Sequence, residues 1–293
     1  MLLSLLLFAQ GISQTYMTNI KIAQDYYNSG KFDSAAKAYQ SAFKSNNVMG
    51  TIEDRLNLAR SFVKINESDS AFNQLFRIVE KGFFDDKNAL LNDESFNMLK
   101  GSAKWTKLIE TIESRQKGKN LSMKSKLESI YDRDQLLRVE IEKLMAKGNK
   151  KFSKIEILWQ RINKNDETNR KDIEKILDSL GWLGPSEVGI KANTTFFLVI
   201  QHAPLEFQKH YFPVMQKAVK EGKARGSDLA YLEDRIALSE GKKQVYGTQV
   251  SFTSEGKLNL SPLADPENVD KRRKSVGLGP LEDYLRTFEG RKH

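Results

Sequence analysis

The 293 residues carry a formal net charge of +9, with 39% hydrophobic and 29% charged side chains, the balance of a soluble globular chain with room for two modest cores. With no cysteine, a disulfide framework, a thiol nucleophile and a cysteine-ligated metal are excluded. Only three histidines are present, so any metal site would have to be carboxylate-rich, and neither a metal nor a cofactor is expected. At the start of the chain, Leu2 to Ala9 form an apolar run too short to cross a bilayer, followed by Gly11-Ile12-Ser13 at the spacing a signal peptidase reads. Residues 1–13 are therefore expected to be a cleaved leader. The mature chain is expected in the periplasm or at the cell surface, without a transmembrane anchor.

The next hundred residues repeat themselves. Ala23, Tyr26, Gly30, Phe32, Ala35, Tyr39, Ala42 and Phe43 place small and aromatic residues on two helical stripes separated by Gly30. The set recurs once as Ala59, Phe62, Asn66, Ala71, Leu75 and Ile78, with Asn66 at the turn where Gly30 stood. Gly82 then closes a helix, and Asp93, Phe96, Leu99, Trp105, Leu108 and Ile112 fit a degenerate capping pair. These residues resemble the tetratricopeptide repeat over about residues 17–112. A repeat domain of antiparallel helix pairs is thus expected at 17–113. Such repeats hold peptides or proteins in a groove, which implies a protein or peptide partner; the alternative is a spacer that presents the second domain. Two repeats and a cap are short for a solenoid, so a neighbour is expected to cover one end.

Residues 114–123 are polar, contain Gly118 and read as a linker, followed by a mostly helical domain at 124–288. Lys124 to Lys147 has the period of one long helix, and its apolar face, from Leu127 to Met145, is interrupted by Asp134 and Arg138. Four apart, the two can pair, either as a structural ion pair fixing register or as part of a site. Basic residues such as Lys143 and Lys154 alternate with Glu140, Glu142 and Glu156 without aromatic interleaving, the pattern of a solvated face, so no nucleic-acid partner is expected. A second helix is predicted around Ile155 to Ile162 and a third with Asp166 as N-cap, carrying Asn169 on its apolar face to the stop at Gly181. The buried run Phe196 to Ile200 ends in Gln201 and His202, which are either bonded into the core or face a cleft. Pro204 and Pro213 punctuate two short helices, and Ser227 caps another, with Asp234 and Arg235 near its centre. A β-hairpin is predicted near 244–260, where Gly247 beside Gln249 leaves room for close approach. Asp265-Pro266 opens a helix bearing Arg272 and Arg273.

Gln201-His202-Ala203, Ala230-Tyr231-Leu232 with Asp234-Arg235, Tyr246-Gly247-Thr248-Gln249, and Asp270 with Arg272-Arg273 together resemble the bacterial family known as domain of unknown function 6624. Asp134-Gln135 with Arg138, and Gly181-Trp182, extend the resemblance to about residues 121–288, although Leu183 stands where the pattern has proline. The family has no assigned activity. The expectation is a mainly α protein: TPR-like helix-pair repeats plus a helical domain with one small hairpin. Its expected role is that of an exported envelope binding protein whose ligand-binding residues are Arg138, Gln201, Arg235, Gln249 and Arg272, with a small anionic ligand held by the arginines and oriented by the glutamines. The alternative is a hydrolase or transferase with His202 as general base, Asp134 or Asp234 orienting it and an arginine stabilising negative charge. No phosphate loop, nucleophile elbow or paired-histidine metal helix is present in the sequence.

Overall fold

In the first helix pair, the chain leaves one helix and enters the next through a residue in the left-handed region. The computed structural model describes residues 14–45, 50–81, 84–117, 120–146, 152–253 and 257–288. The expected leader at 1–13, Gly82, Gly118 and the hairpin turn at 254–256 lie outside the described residues. Helices α1 (Gln14–Asn28) and α2 (Phe32–Ser45) are joined through Gly30 at φ 73°, and α3 (Ile52–Lys64) and α4 (Ser68–Glu80) through Asn66 at φ 61°. Both turns close alike. The N–H of Lys31 reaches back to the Tyr26 carbonyl and that of Glu67 to Phe62, each 2.9 Å, satisfying carbonyls a helix end would leave open. Ala23, Ala35, Ala42, Ala59 and Ala71 are wholly buried, which lets the helices approach closely. Helix α5 (Lys87–Asn92), a 3-10 turn at Glu94–Phe96 and α6 (Ala103–Lys117) follow, with Trp105, Leu108 and Ile112 buried.

The chain divides into two compact units at Lys119 and Asn120. Helix α6 runs through the first four residues of the expected linker. Their polarity has a structural use: Arg115 donates to the carbonyls of Val79 and Glu80, and Gln116 to that of Asp85 at 2.6 Å.

The second unit starts with α7 (Leu121–Ala146) and α8 (Phe152–Leu180). Where two helices and an N-cap at Asp166 were expected, α8 is continuous. No glycine or proline interrupts the stretch, and Asn165 and Asp166 spend their side chains on α7 rather than on their own backbone. A short α9 (Pro185–Val188) leads into α10 (Ile190–His202), whose middle, Thr194 to Gln201, is buried all round. Helix α11 (Leu205–Lys220) is likewise one helix, with Pro213 inside it, because the burial of Tyr211, Met215 and Ala218 outweighs one lost backbone bond. Helix α12 (Gly226–Ser239) begins after Arg225, so Ser227 lies inside it rather than capping it. The hairpin pairs β1 (Val250–Phe252) with β2 (Leu258–Leu260), Val250 opposite Leu260, and α13 (Val269–Ser275) and α14 (Leu281–Arg286) complete the unit. The protein is thus mainly α with one small antiparallel sheet. Among the described residues no helix is long and apolar enough to cross a membrane.

Candidate functional site

Three helices bring the site together, and their register follows from a few polar contacts. Thr195 Oγ1 donates to the Leu127 carbonyl at 3.0 Å and His202 Nδ1 lies 3.2 Å from Asp134 Oδ1; both contacts span 68 residues, so α7 and α10 run parallel in register over two turns. Helix α8 runs the other way along α7. Arg133 reaches forward to Asn169 and Asp172, whereas Arg138, further along α7, reaches back to Asp166. His202 is the last residue of α10, so its ring stands at the end of the buried helix, beside Asp134 and the Arg138–Asp166 pair.

Asp134 is the sealed member, its side chain 1% exposed against 15% for His202, 13% for Arg138 and 14% for Asp166. Its Oδ2 accepts from Gln135 at 2.6 Å and lies 3.6 Å from Arg138 Nε. Arg138 Nη2 straddles both oxygens of Asp166, at 2.6 and 2.7 Å, while its Nε is buried without a hydrogen-bond partner. Sequence spacing allowed Arg138 to pair with Asp134; the closer partner is Asp166, from another helix.

The two carboxyls are pushed apart in acidity. Burial opposes ionisation of Asp134, but the adjacent His202 and Arg138 more than offset it and hold the carboxyl below its usual range. At Asp166 burial outweighs Arg138 and the group is raised. Arg235, half-buried on α12, is lowered to about 10, first by burial and then by the Arg138 charge.

The remaining candidates lie elsewhere in the same unit. Asp234 is fully buried and clamps the loop before β1: Oδ1 accepts from the N–H of Val245 at 2.6 Å and of Tyr246 at 3.0 Å, and Oδ2 from the N–H and hydroxyl of Thr248, each at 2.9 Å. Gln249 donates to Thr248 Oγ1 at 3.1 Å, and its N–H bonds Gln244 Oε1 at 2.9 Å. The space beside Gly247, at φ 68°, is filled by Leu281, which a Cβ there would meet at 2.8 Å. Arg272 binds the carbonyls of Val245, Ala264 and Asp265 and the Asp265 carboxylate. Gln201 is buried, its Oε1 without a hydrogen-bond partner, and its carbonyl accepts from Gln208. The structure thus joins His202, Asp134 and Arg138, and uses Asp234, Gln249 and Arg272 to hold the hairpin loop. The residue that sequence reasoning missed is Asp166, hidden by its reading as an N-cap. Asp134, Asp166 and His202 each offer a ligand atom within 4.8 Å of the others, the set among the described residues that fits a metal ion.

Fold and site define a mainly α protein whose second unit carries a charged cluster of histidine, carboxylates and arginine at the end of a buried helix. Residues 122–292 match the family of unknown function DUF6624, and the chain belongs to that family. No curated protein and no solved structure matches it.

Proposed function

We propose that the chain is an exported binding protein of the cell envelope whose DUF6624 unit takes a small anionic molecule beside Arg138, Arg235 and His202. What supports this is the Arg138 guanidinium at the corner where His202 is partly exposed, with a second guanidinium, Arg235 on α12, whose acidity is raised first by burial and then by the Arg138 charge. An anion there would relieve their mutual repulsion, and the charge-assisted bonds would be strong because the corner is half-buried. The helix pairs, read as tetratricopeptide-like over about residues 17–112, would supply contacts to a protein or peptide partner. Calorimetric titration of the whole chain with inorganic phosphate and with acetate tests the reading. Millimolar or tighter binding of either anion is expected, at least tenfold weaker in Arg235→Gln; an inert wild-type protein sinks it.

A second reading has its own support. An aspartate sealed behind a histidine whose ring reaches solvent is the arrangement that orients a general base, which fits a hydrolase or transferase. Turnover of chromogenic esters, amides or phosphoesters that disappears in both His202→Ala and Asp134→Asn would favour it. Activity untouched by either change would reject it.

A further inference from the structure

We propose that Asp134, Asp166 and His202 form a binding site for a divalent cation of the Mn²⁺ or Zn²⁺ class. The donor atoms come from α7, α8 and α10 and gather within 4.8 Å of one another, a convergence that no local helical spacing produces. The key dimension is the 3.2 Å between His202 Nδ1 and Asp134 Oδ1. A charge-assisted N–H to carboxylate bond is expected at about 2.7–2.9 Å. Two ligands that each sit about 2.0–2.1 Å from a common ion stand roughly 3.0–3.4 Å apart along the edge of its coordination shell. The pair lies at the long end of an ordinary hydrogen bond and is equally compatible with two ligands of one cation.

The surroundings are those a metal site needs. Asp134 Oδ2 is held by Gln135 and flanked by Arg138, which leaves Oδ1, the atom facing His202, for the ion. Asp166 is fixed by Arg138 Nη2, and each oxygen keeps a lone pair for a ligand bond. Two carboxylates and one imidazole form a mixed oxygen and nitrogen set, suited to manganese, iron or zinc rather than to calcium. Arg138 bonds Asp166 through Nη2, while its Nε stands 3.6 Å from Asp134 Oδ2 without a hydrogen-bond partner, so the guanidinium answers the two acids imperfectly. Asp166 and His202 both reach solvent, so water or an anion can fill the open positions. This goes beyond the anion-binding reading and does not depend on it. It competes with His202 as a base, because an Nδ1 that ligates a cation has no lone pair left to take a proton there.

The test uses the untagged full chain, dialysed against chelator and titrated calorimetrically with Mn²⁺ and with Zn²⁺ in the absence of any anion ligand. One ion per chain is expected, with affinity falling tenfold or more in Asp166→Asn and in His202→Gln, each checked for an unchanged helical circular dichroism signal. Asp172→Asn, which removes the nearby carboxylate paired with Arg133, should leave the affinity alone. In the wild-type protein, Mn²⁺ should broaden the His202 ring resonances before those of His210, a readout that needs no variant. No binding at millimolar metal, equal affinity in both cluster variants, or broadening centred on His210 overturns the proposal. Phosphate binding is measured separately, so loss of the metal site with retained phosphate affinity would leave the anion reading standing.

Discussion

Asp234 has the hydrogen-bonding pattern of a single side chain that determines a loop. Its two oxygens satisfy three backbone N–H groups and one hydroxyl, all from the segment leading to β1. Asp234→Ala would leave those donors buried and unmet, so a loss of about 3 kcal/mol or more is expected in urea unfolding, with Asp234→Asn intermediate. An unchanged midpoint would show that the loop is held otherwise. The acids of the site make a second prediction, on pH. Asp134 is held low by His202 and Arg138 after burial is overcome, so the stability it contributes is present above its unfolded pKa and lost as pH falls through the folded value. Asp166 is raised by burial, so it acts in the opposite sense: its ionisation costs stability as pH rises from the unfolded value to the folded one. Asp134→Asn should therefore flatten the acid limb of the stability profile, and Asp166→Asn should steepen it. Asp134 and Arg138 were legible in the sequence because they break an apolar stripe. Asp166 was not, because an aspartate among polar residues reads as a helix start, and only Arg138 on another helix gives it a different use.

Elements were most legible where the backbone itself demands a residue type. Gly30 and Asn66 stand at matching turns with positive φ and the same closing bond, so the repeated pattern in the sequence corresponds to repeated geometry. Gly30→Ala should cost about 1–2 kcal/mol by chemical unfolding. Asn66→Gly should be neutral or gain a few tenths, since asparagine tolerates this conformation and glycine prefers it. A large loss in Asn66→Gly would mean that the side chain, rather than the dihedral, matters. Elements were misjudged where a punctuating residue is outvoted by burial. Pro213 was read as a boundary, but the helix around it buries Tyr211 and Met215 and continues. The polar run from Ser114 was read as linker, yet Arg115 caps the last carbonyls of α4, Val79 and Glu80, and Gln116 binds the Asp85 carbonyl beyond it. Polarity along a chain reports the chance of solvent contact, and it fails where polar groups are consumed by backbone elsewhere in the fold.

At the scale of the whole molecule, the question is whether each unit carries enough core to fold. The first gathers Tyr16, Tyr39, Leu58, Leu75, Phe96 and Leu108 into one apolar cluster, and every buried member lies between residues 16 and 112. The second has a main cluster running from Leu127 through Phe196 to Tyr284 and a satellite of Ile141, Leu158 and Ile162 between α7 and α8. Among the described residues, each unit has an apolar cluster of its own. A chain of residues 120–293 should accordingly fold alone, with a cooperative thermal transition and the helical signal of the intact unit. The discriminating measurement is a pair of cavity variants in the full-length protein. Leu75→Ala and Phe196→Ala each remove a wholly buried side chain, at a cost of about 2–5 kcal/mol. In differential scanning calorimetry, Leu75→Ala should lower the transition that the 120–293 fragment lacks, and Phe196→Ala the one the fragment retains. If both variants lower one common transition by the same amount, the two cores form a single cooperative unit, and the assignment of a separate folding unit to the DUF6624 region fails.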